Sequence, residues 1–150
     1  MKAIKFTSNI KLLRNDFHLS QLQLAIETGL GKSAVSYWEL GVEAPNAKAV
    51  IILSRYFQVT TDYLLKESDN STPVYRADDF NVDMFLFNKR LKELRIEHNL
   101  SQDKLATEVK LSQSAINNWE LGNRTPNANA VVTLARYFGV TTDYLLGEID

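Results

Sequence analysis

Between Leu111 and Asn127 the apolar and polar positions separate onto opposite sides of a 3.6-residue period. Ala115, Ile116 and Trp119 share one face, while Gln113, Ser114, Asn117 and Asn118 fill an arc of roughly 140° on the other. Ser112 stands where an N-cap hydroxyl belongs and Gly122 where a helix stops, so the pattern predicts a short helix between them. The same reading applies along the first half of the chain. Ile10, Leu13 and Phe17 predict a helix within residues 7–17. Ser20-Gln21-Leu22-Gln23 is a capping box that opens a second helix, with Leu24 and Ala25 inward and Gly29 at its end. A third helix is predicted from about Lys32 to Leu40, stopped by Gly41. Pro45-Asn46 starts a fourth, with Ala47, Val50, Leu53, Tyr56 and Phe57 on its buried side. Thr60 caps a short fifth, with Asp62 in its first turn and Leu64 and Leu65 inside. No convincing strand appears, so the predicted fold is all-α and held together by helix-on-helix packing.

The pattern occurs twice. A constant shift of about 81 positions lays residues 30–46 on 111–127, Leu19-Ser20-Gln21 on Leu100-Ser101-Gln102, and Arg55-Tyr56-Phe57 on Arg136-Tyr137-Phe138. It also lays Val59 to Leu65 on Val140 to Leu146 with every residue unchanged; from Leu19 to Leu65, roughly 29 of 47 positions match. A spacing this long marks a duplicated domain rather than a solenoid. In each copy two short helices meet at a three- or four-residue turn, the helix-turn-helix arrangement. The division predicted is a first helix-turn-helix domain at 1–67, a linker at 68–81 and a second domain at 82–150. The linker is polar and contains Pro73, yet Val74, Tyr75 and Phe80 are more apolar than a free tether needs and are expected to dock on one of the domains. In the second copy Phe87, Leu91 and Leu94 build the first helix, Lys104 replaces the capping-box amide, and Gly139 stands where the first copy has Gln58.

Composition narrows the function. The chain has 150 residues, a net charge of -1 and no cysteine, which excludes a disulfide framework and a thiolate metal site. The two histidines, His18 and His98, fall near equivalent helix ends with no ligand cluster beside them and read as solvent-facing; no metal and no cofactor is implied. No apolar run reaches the ~18 residues of a membrane span, and the start of the chain, with Lys2 and Lys5, has no signal-peptide apolar region. A cytoplasmic, nucleoid-associated protein with no membrane partner is expected. No pairing of acid, base and nucleophile recurs in the two copies, so nothing points to an enzyme. Trp38 and Trp119 lie on the apolar arcs and are expected in the cores.

The outward arc has a chemistry of its own. Gln and Asn pair bidentately with adenine in the major groove, and Lys donates to guanine. The second copy offers Gln113, Ser114, Asn117 and Asn118; the first offers Lys32, Ser33, Ser36 and Tyr37. The order Leu-Ser-Gln, Leu-Ala, turn, Ser-Ala-Val/Ile, Trp-Glu-Leu-Gly, Pro-Asn, Val-Thr-Thr-Asp-Tyr-Leu-Leu resembles the phage-repressor helix-turn-helix family, the group of Cro and lambda repressor, in both copies. That resemblance implies two tandem five-helix lambda-repressor-like domains that dock the third helix of each in the major groove of double-stranded DNA. It implies phosphate or base contacts for Gln21 and Gln102 at the start of the second helix. It implies base reading by Gln113, Ser114 and Asn118, with Ser112 at the cap and Asn117 beside them, and in the first copy by Lys32, Ser33, Ser36 and Tyr37. Phosphate contacts are implied for Asn46 in one copy and for Asn123, Arg124 and Asn127 in the other. The family commonly pairs the positions of Arg14 and Glu39, which recur here as Arg95 and Glu120.

The expected function is a sequence-specific transcriptional regulator, a prokaryotic or phage repressor. The competing reading is a protein-interaction adaptor or antitoxin in which at least one copy has given up DNA. Most members of the family that the chain resembles bind as symmetric dimers of one domain each, whereas this chain carries two domains. A homodimer and an intrachain pseudo-dimer are therefore both open. A linker of about 14 residues spans at most about 46–50 Å, enough for reading helices one DNA turn, about 34–36 Å, apart. A sequence pI of 6.1 is low for a DNA binder and predicts a local basic stripe on an acidic body. Tyr37 is bulkier than its counterpart Asn118, so the second copy is expected to carry more of the base reading.

Overall fold

The structure, a computed structural model, describes residues 5–74 and 79–150. It divides into two compact units, Met1–Val82 and Asp83–Asp150. The described residues form ten α-helices and no β-sheet.

The first unit contains α1 (Ile10–Asp16), α2 (Gln21–Thr28), α3 (Lys32–Leu40), α4 (Ala47–Phe57) and α5 (Thr61–Leu64). Their ends follow from local chemistry. Ser20 and Gln23 close the capping box of α2 reciprocally, at 3.0 and 2.7 Å. Asn46 and Thr60 cap α4 and α5 through their side-chain oxygens. Gly41 ends α3 at φ 78°, and a Cβ there would lie 2.6 Å from the Phe6 carbonyl oxygen, so both the backbone angle and the space require glycine. Ile10, Leu24, Val35, Val50, Leu53 and Leu64 are fully buried where the helices meet. Each side chain of this size contributes roughly 1.5–3 kcal/mol by leaving water.

The second unit repeats the plan with α6 (Phe85–Glu97), α7 (Gln102–Val109), α8 (Gln113–Leu121), α9 (Ala128–Phe138) and α10 (Thr142–Leu145). Phe87, Leu91, Leu105, Ile116, Leu134 and Leu145 fill its core. Ser101 caps α7 without the reciprocal half of a box, because Lys104 has no acceptor to return. Gly139 closes α9 in the left-handed region, where Gln58 adopts the same conformation at φ 58°. Trp38 and Trp119 are buried.

Four details differ from the periodic reading. Phe17 lies beyond the end of α1 and is half exposed, touching Phe57 edge-on at 5.0 Å rather than filling the core. Tyr56 is only partly buried, because it sits at the rim of α4. The two histidines are exposed but not equivalent. His98 takes the place of Phe17 and meets Phe138 edge-on at 5.0 Å, whereas His18 occupies a left-handed turn at φ 57°, the place of Asn99.

The fourth detail is the segment after α5, which is held at several points rather than running free. Val74 donates its N–H to the Gln58 carbonyl at 2.7 Å. Arg55 donates through Nη1 to the Asp79 carbonyl at 2.6 Å, and the Phe80 ring lies 6.3 Å from that of Tyr56. These residues therefore strap onto the C-terminal end of α4. Tyr75, the third apolar residue expected to dock, lies outside the described residues.

Candidate nucleic-acid interface

The turn between α7 and α8 folds α8 back across α7, bringing the start of one helix against the face of the other. Gln113 donates through Nε2 to Gln102 Oε1 at 3.0 Å. Gln102 spends its own two N–H hydrogens on Asn117 Oδ1, at 3.3 Å, and Glu120 Oε1, at 3.2 Å. Glu120 in turn takes a two-pronged guanidinium pair from Arg95: Nε to Oε2 at 2.7 Å and Nη2 to Oε1 at 2.9 Å. The third arm of Arg95 donates to the Leu100 carbonyl at 2.8 Å, tying α6 to the entry of α7. A continuous chain of hydrogen bonds thus runs from the buried pair to the exposed tip of α8. It leaves exposed Gln113 with its Oε1 and one N–H uncommitted, the acceptor–donor pair of groups that complements adenine N6 and N7.

The rest of the arc is also organised. Asn118 donates to Ser114 Oγ at 3.5 Å and accepts from Asn123 Nδ2 at 3.4 Å. Ser112 and Asn127 are N-caps: Ser112 Oγ accepts from the Ala115 N–H and Asn127 Oδ1 from the Ala130 N–H. The hydroxyl hydrogen of one and the amide N–H groups of the other have no partner among the described residues. Arg124 is exposed beside them in the loop after α8.

In the first unit the scaffold is the same and the tip is not. Arg14 pairs with Glu39 at 2.7 Å (Nε–Oε2) and 2.9 Å (Nη2–Oε1), and donates to the Leu19 carbonyl at 2.7 Å. Both pairs are largely shielded, with 12% of each arginine side chain and 4% of each glutamate side chain exposed. In both, the hydrogen bond to the glutamate raises the guanidinium pKa above its ordinary value, against the opposing pull of burial. Gln21 donates to Glu39 Oε1 at 3.2 Å, as Gln102 does to Glu120. There the chain of amides ends. Lys32, Ser33, Ser36 and Tyr37 line a shallow notch of about 180 Å³ beside Gln21. Their side chains have no hydrogen-bond partner among the described residues. Tyr37 is 46% exposed. Asn46 caps α4 through Oδ1, as Asn127 caps α9.

Two features of this surface were not singled out from the pattern. The relay Glu120–Gln102–Gln113 joins residues far apart in sequence; the retained Gln at the start of α2 and α7 was its signal. The loops after α3 and α8 differ in sign: exposed Glu43 stands where the second unit has Arg124, a contrast visible once the copies are superposed. Among the described residues no cluster of metal-ligating side chains occurs. No helix there is long and apolar enough to cross a membrane.

A bundle in which two short helices cross at a tight turn, the second presenting a polar, amide-rich face, defines the helix-turn-helix class. The comparisons agree in both halves: residues 10–64 match a helix-turn-helix family and residues 88–150 a helix-turn-helix domain family, so the chain belongs to the helix-turn-helix proteins through two tandem domains. The chain is 40% identical over 60 residues to the HTH-type transcriptional activator BcrR of Enterococcus faecalis, covering 40% of this chain and 29% of that protein. It is 32% identical over 65 residues to the uncharacterized HTH-type transcriptional regulator YobD of Bacillus subtilis (strain 168), covering 43% and 58%. It is 33% identical over 60 residues to the HTH-type transcriptional regulator ImmR of the same organism, covering 40% and 47%. The matches span from under a third to somewhat over half the length of these relatives.

Proposed function

We propose that the protein is a transcriptional regulator that binds double-stranded DNA sequence-specifically, with α8 as the principal reading helix and α3 as the weaker one. The observation that carries this reading is the hydrogen-bonded relay on α7 and α8. It pre-orders Gln113 with an uncommitted acceptor and donor, and pre-ordered polar groups bind without first losing side-chain freedom. Arg124, Asn123, Asn127 and the Ser112 hydroxyl flank that tip as phosphate partners, and in the loop after the reading helix the second unit has exposed Arg124 where the first has Glu43. Matches to proteins named as transcriptional regulators support the same reading. A bacterial cytoplasmic, nucleoid-associated location follows from it, and no catalytic step is assigned to the chain.

The two units make one chain a candidate pseudo-dimer on a site with unlike halves: one read by Lys32 and Ser33, the other by Gln113 and Asn118. The strap narrows the reach available, since Val74, Asp79 and Phe80 are held on α4 and only two residues, Asn81 and Val82, separate Phe80 from the second unit, or about 10 Å from Phe80 to Asp83 when extended. Selection of duplexes from a random pool, followed by the stoichiometry of the enriched site, tests both parts. One chain protecting two adjacent, non-identical major grooves supports the pseudo-dimer. Two chains on a symmetric site, with Lys32 and Tyr37 indifferent to substitution, replaces it with a homodimer that reads through α8 alone.

A further inference from the structure

The duplication provides an internal comparison of the two reading helices. Lys32, Ser33, Ser36 and Tyr37 share one arc of α3, because positions three and four apart on a helix are neighbours. With Gln21 they line a shallow notch of about 180 Å³, several times the ~30 Å³ share of a water molecule and therefore room for a base edge. In the second unit the counterparts of Lys32 and Ser36 are Gln113 and Asn117, and both are bound to Gln102. Gln113 donates to its Oε1 at 3.0 Å, and Asn117 Oδ1 accepts from its Nε2 at 3.3 Å. There two amides bridge the helices. The short Ser36 makes no such bridge among the described residues of the first unit.

The chemistry of the notch differs as well. Tyr37, 46% exposed, stands where the second unit has Asn118. An aromatic ring on a base-facing arc makes apolar contact, and the apolar group of the major groove is the C5-methyl of a pyrimidine. Ser33 and Ser36 carry hydroxyls that both donate and accept. They suit thymine O4, an acceptor, and the cytosine N4 amino group, a donor. Lys32 only donates, which suits the two acceptors of guanine, O6 and N7, better than the mixed edge of adenine.

We propose that α3 reads the C5-methyl of a pyrimidine next to a guanine. Tyr37 packs on the methyl, Ser33 and Ser36 bond the pyrimidine at O4 or N4, and Lys32 donates to the guanine. This rests on the reading of α3 as a DNA-facing helix given above. The methyl has two sources in DNA, thymine and 5-methylcytosine. Where the second is the source, cytosine methylation becomes a signal to the first unit.

The test uses the full chain and the duplex that it enriches most from a random pool. Each thymine is replaced in turn by uracil, which removes only the methyl, and each cytosine by 5-methylcytosine, which adds one. At any sensitive thymine, cytosine and 5-methylcytosine are also compared. Fluorescence anisotropy reads affinity. Expected is a pyrimidine beside a guanine at which the methyl strengthens binding about three- to fivefold, the effect of burying one such group. Tyr37→Ala should bind the methylated and unmethylated duplexes equally. Tyr37→Phe, which retains the ring, and Asn118→Ala, on the other helix, should both keep the difference. Ser36→Asn, which installs the second unit's residue in the notch, should abolish it. The wild-type arms need no variant, so a folding defect in one does not blunt the test. A difference at thymine alone names thymine as the source, and a difference in both arms adds 5-methylcytosine; each supports the proposal. Indifference of the wild-type chain to every methyl, or a methyl effect that survives in Tyr37→Ala, overturns it while leaving DNA binding by the chain intact. Failure to enrich any duplex defeats the proposed function itself, and this inference with it.

Discussion

Gln113 donates to Gln102 across the helix-turn-helix turn at 3.0 Å, and nothing equivalent occurs among the described residues of the first unit, where Lys32 replaces the glutamine. With the Gln102–Asn117 bond, which likewise has no counterpart there, it separates two scaffolds built on the same Arg–Glu–Gln base. Its consequence is polarity: with one N–H committed inward, Gln113 offers its carbonyl oxygen and remaining N–H to a base edge. Changing Gln113 or Asn118 to Ala is expected to cost roughly 1–3 kcal/mol at a preferred site and to relax discrimination there. Tyr37→Ala should change discrimination less. Competition binding against single-base variants checks the ranking, and a larger loss for Tyr37→Ala than for Asn118→Ala reverses it.

The buried pairs make a stability prediction. Glu120→Ala removes the acceptor of both Arg95 and Gln102, leaving a guanidinium largely shielded from water without its counter-charge. Loss of one partner of such a pair is expected to cost about 3 kcal/mol, and Glu39→Ala should act alike in the first unit. Each unit carries one tryptophan, so denaturation followed by fluorescence in a Trp38→Phe background reports the second unit alone. A cost below ~1 kcal/mol would mark the pair as an ordinary surface interaction.

Salt dependence should follow the sign contrast between Glu43 and Arg124. Arg124→Ala is expected to lower the slope of log affinity against log salt by about 0.9, the effect of one lost phosphate contact. Glu43→Arg removes an anion and adds a cation at the matching place, and is expected to raise both affinity and slope. If neither slope moves in titrations between low and moderate salt, these loops do not face the DNA backbone.

Much of this architecture was legible in the sequence. Apolar periodicity, cap residues and glycines act within a few positions of one another, so the helix order, the turn and the duplication followed directly. The Arg–Glu pair was foreshadowed because both partners recur at matching places. The relay through Gln102 was not, since Gln102 and Gln113 meet only after α8 folds back on α7. The strap was half legible: Val74 and Phe80 stood out as too apolar for a tether, but the carbonyl of Gln58 and the guanidinium of Arg55 that receive it carry no periodic signature. His98 was misaligned with His18 because the two are near-neighbours in register, although only His98 sits in the aromatic position of Phe17.

Tyr56, whose ring lies 6.3 Å from that of Phe80, gives the first unit an alkaline prediction. Tyr56 has a folded-state phenol pKa raised above its ordinary value of 10.0, chiefly by burial. A raised pKa contributes stability that is complete below the unfolded value and is lost as pH rises through the folded one. The first unit should therefore weaken above about pH 10. Phe80→Ala uncovers Tyr56 and should shrink that alkaline loss, measured as the change in urea midpoint between neutral and alkaline pH. An unchanged loss would mean that Phe80 does not shield the phenol.

The central claim is that α8 reads DNA through an amide face pre-ordered from Arg95 outward. Its most direct test is selection of duplexes from a random pool by the wild-type chain and by Gln113→Ala, at one fixed low salt concentration. The account predicts an enriched site with adenine at one position whose preference disappears in the variant, while the remaining positions persist. Failure of the wild-type chain to enrich any sequence, or an identical site selected by Gln113→Ala, would contradict it.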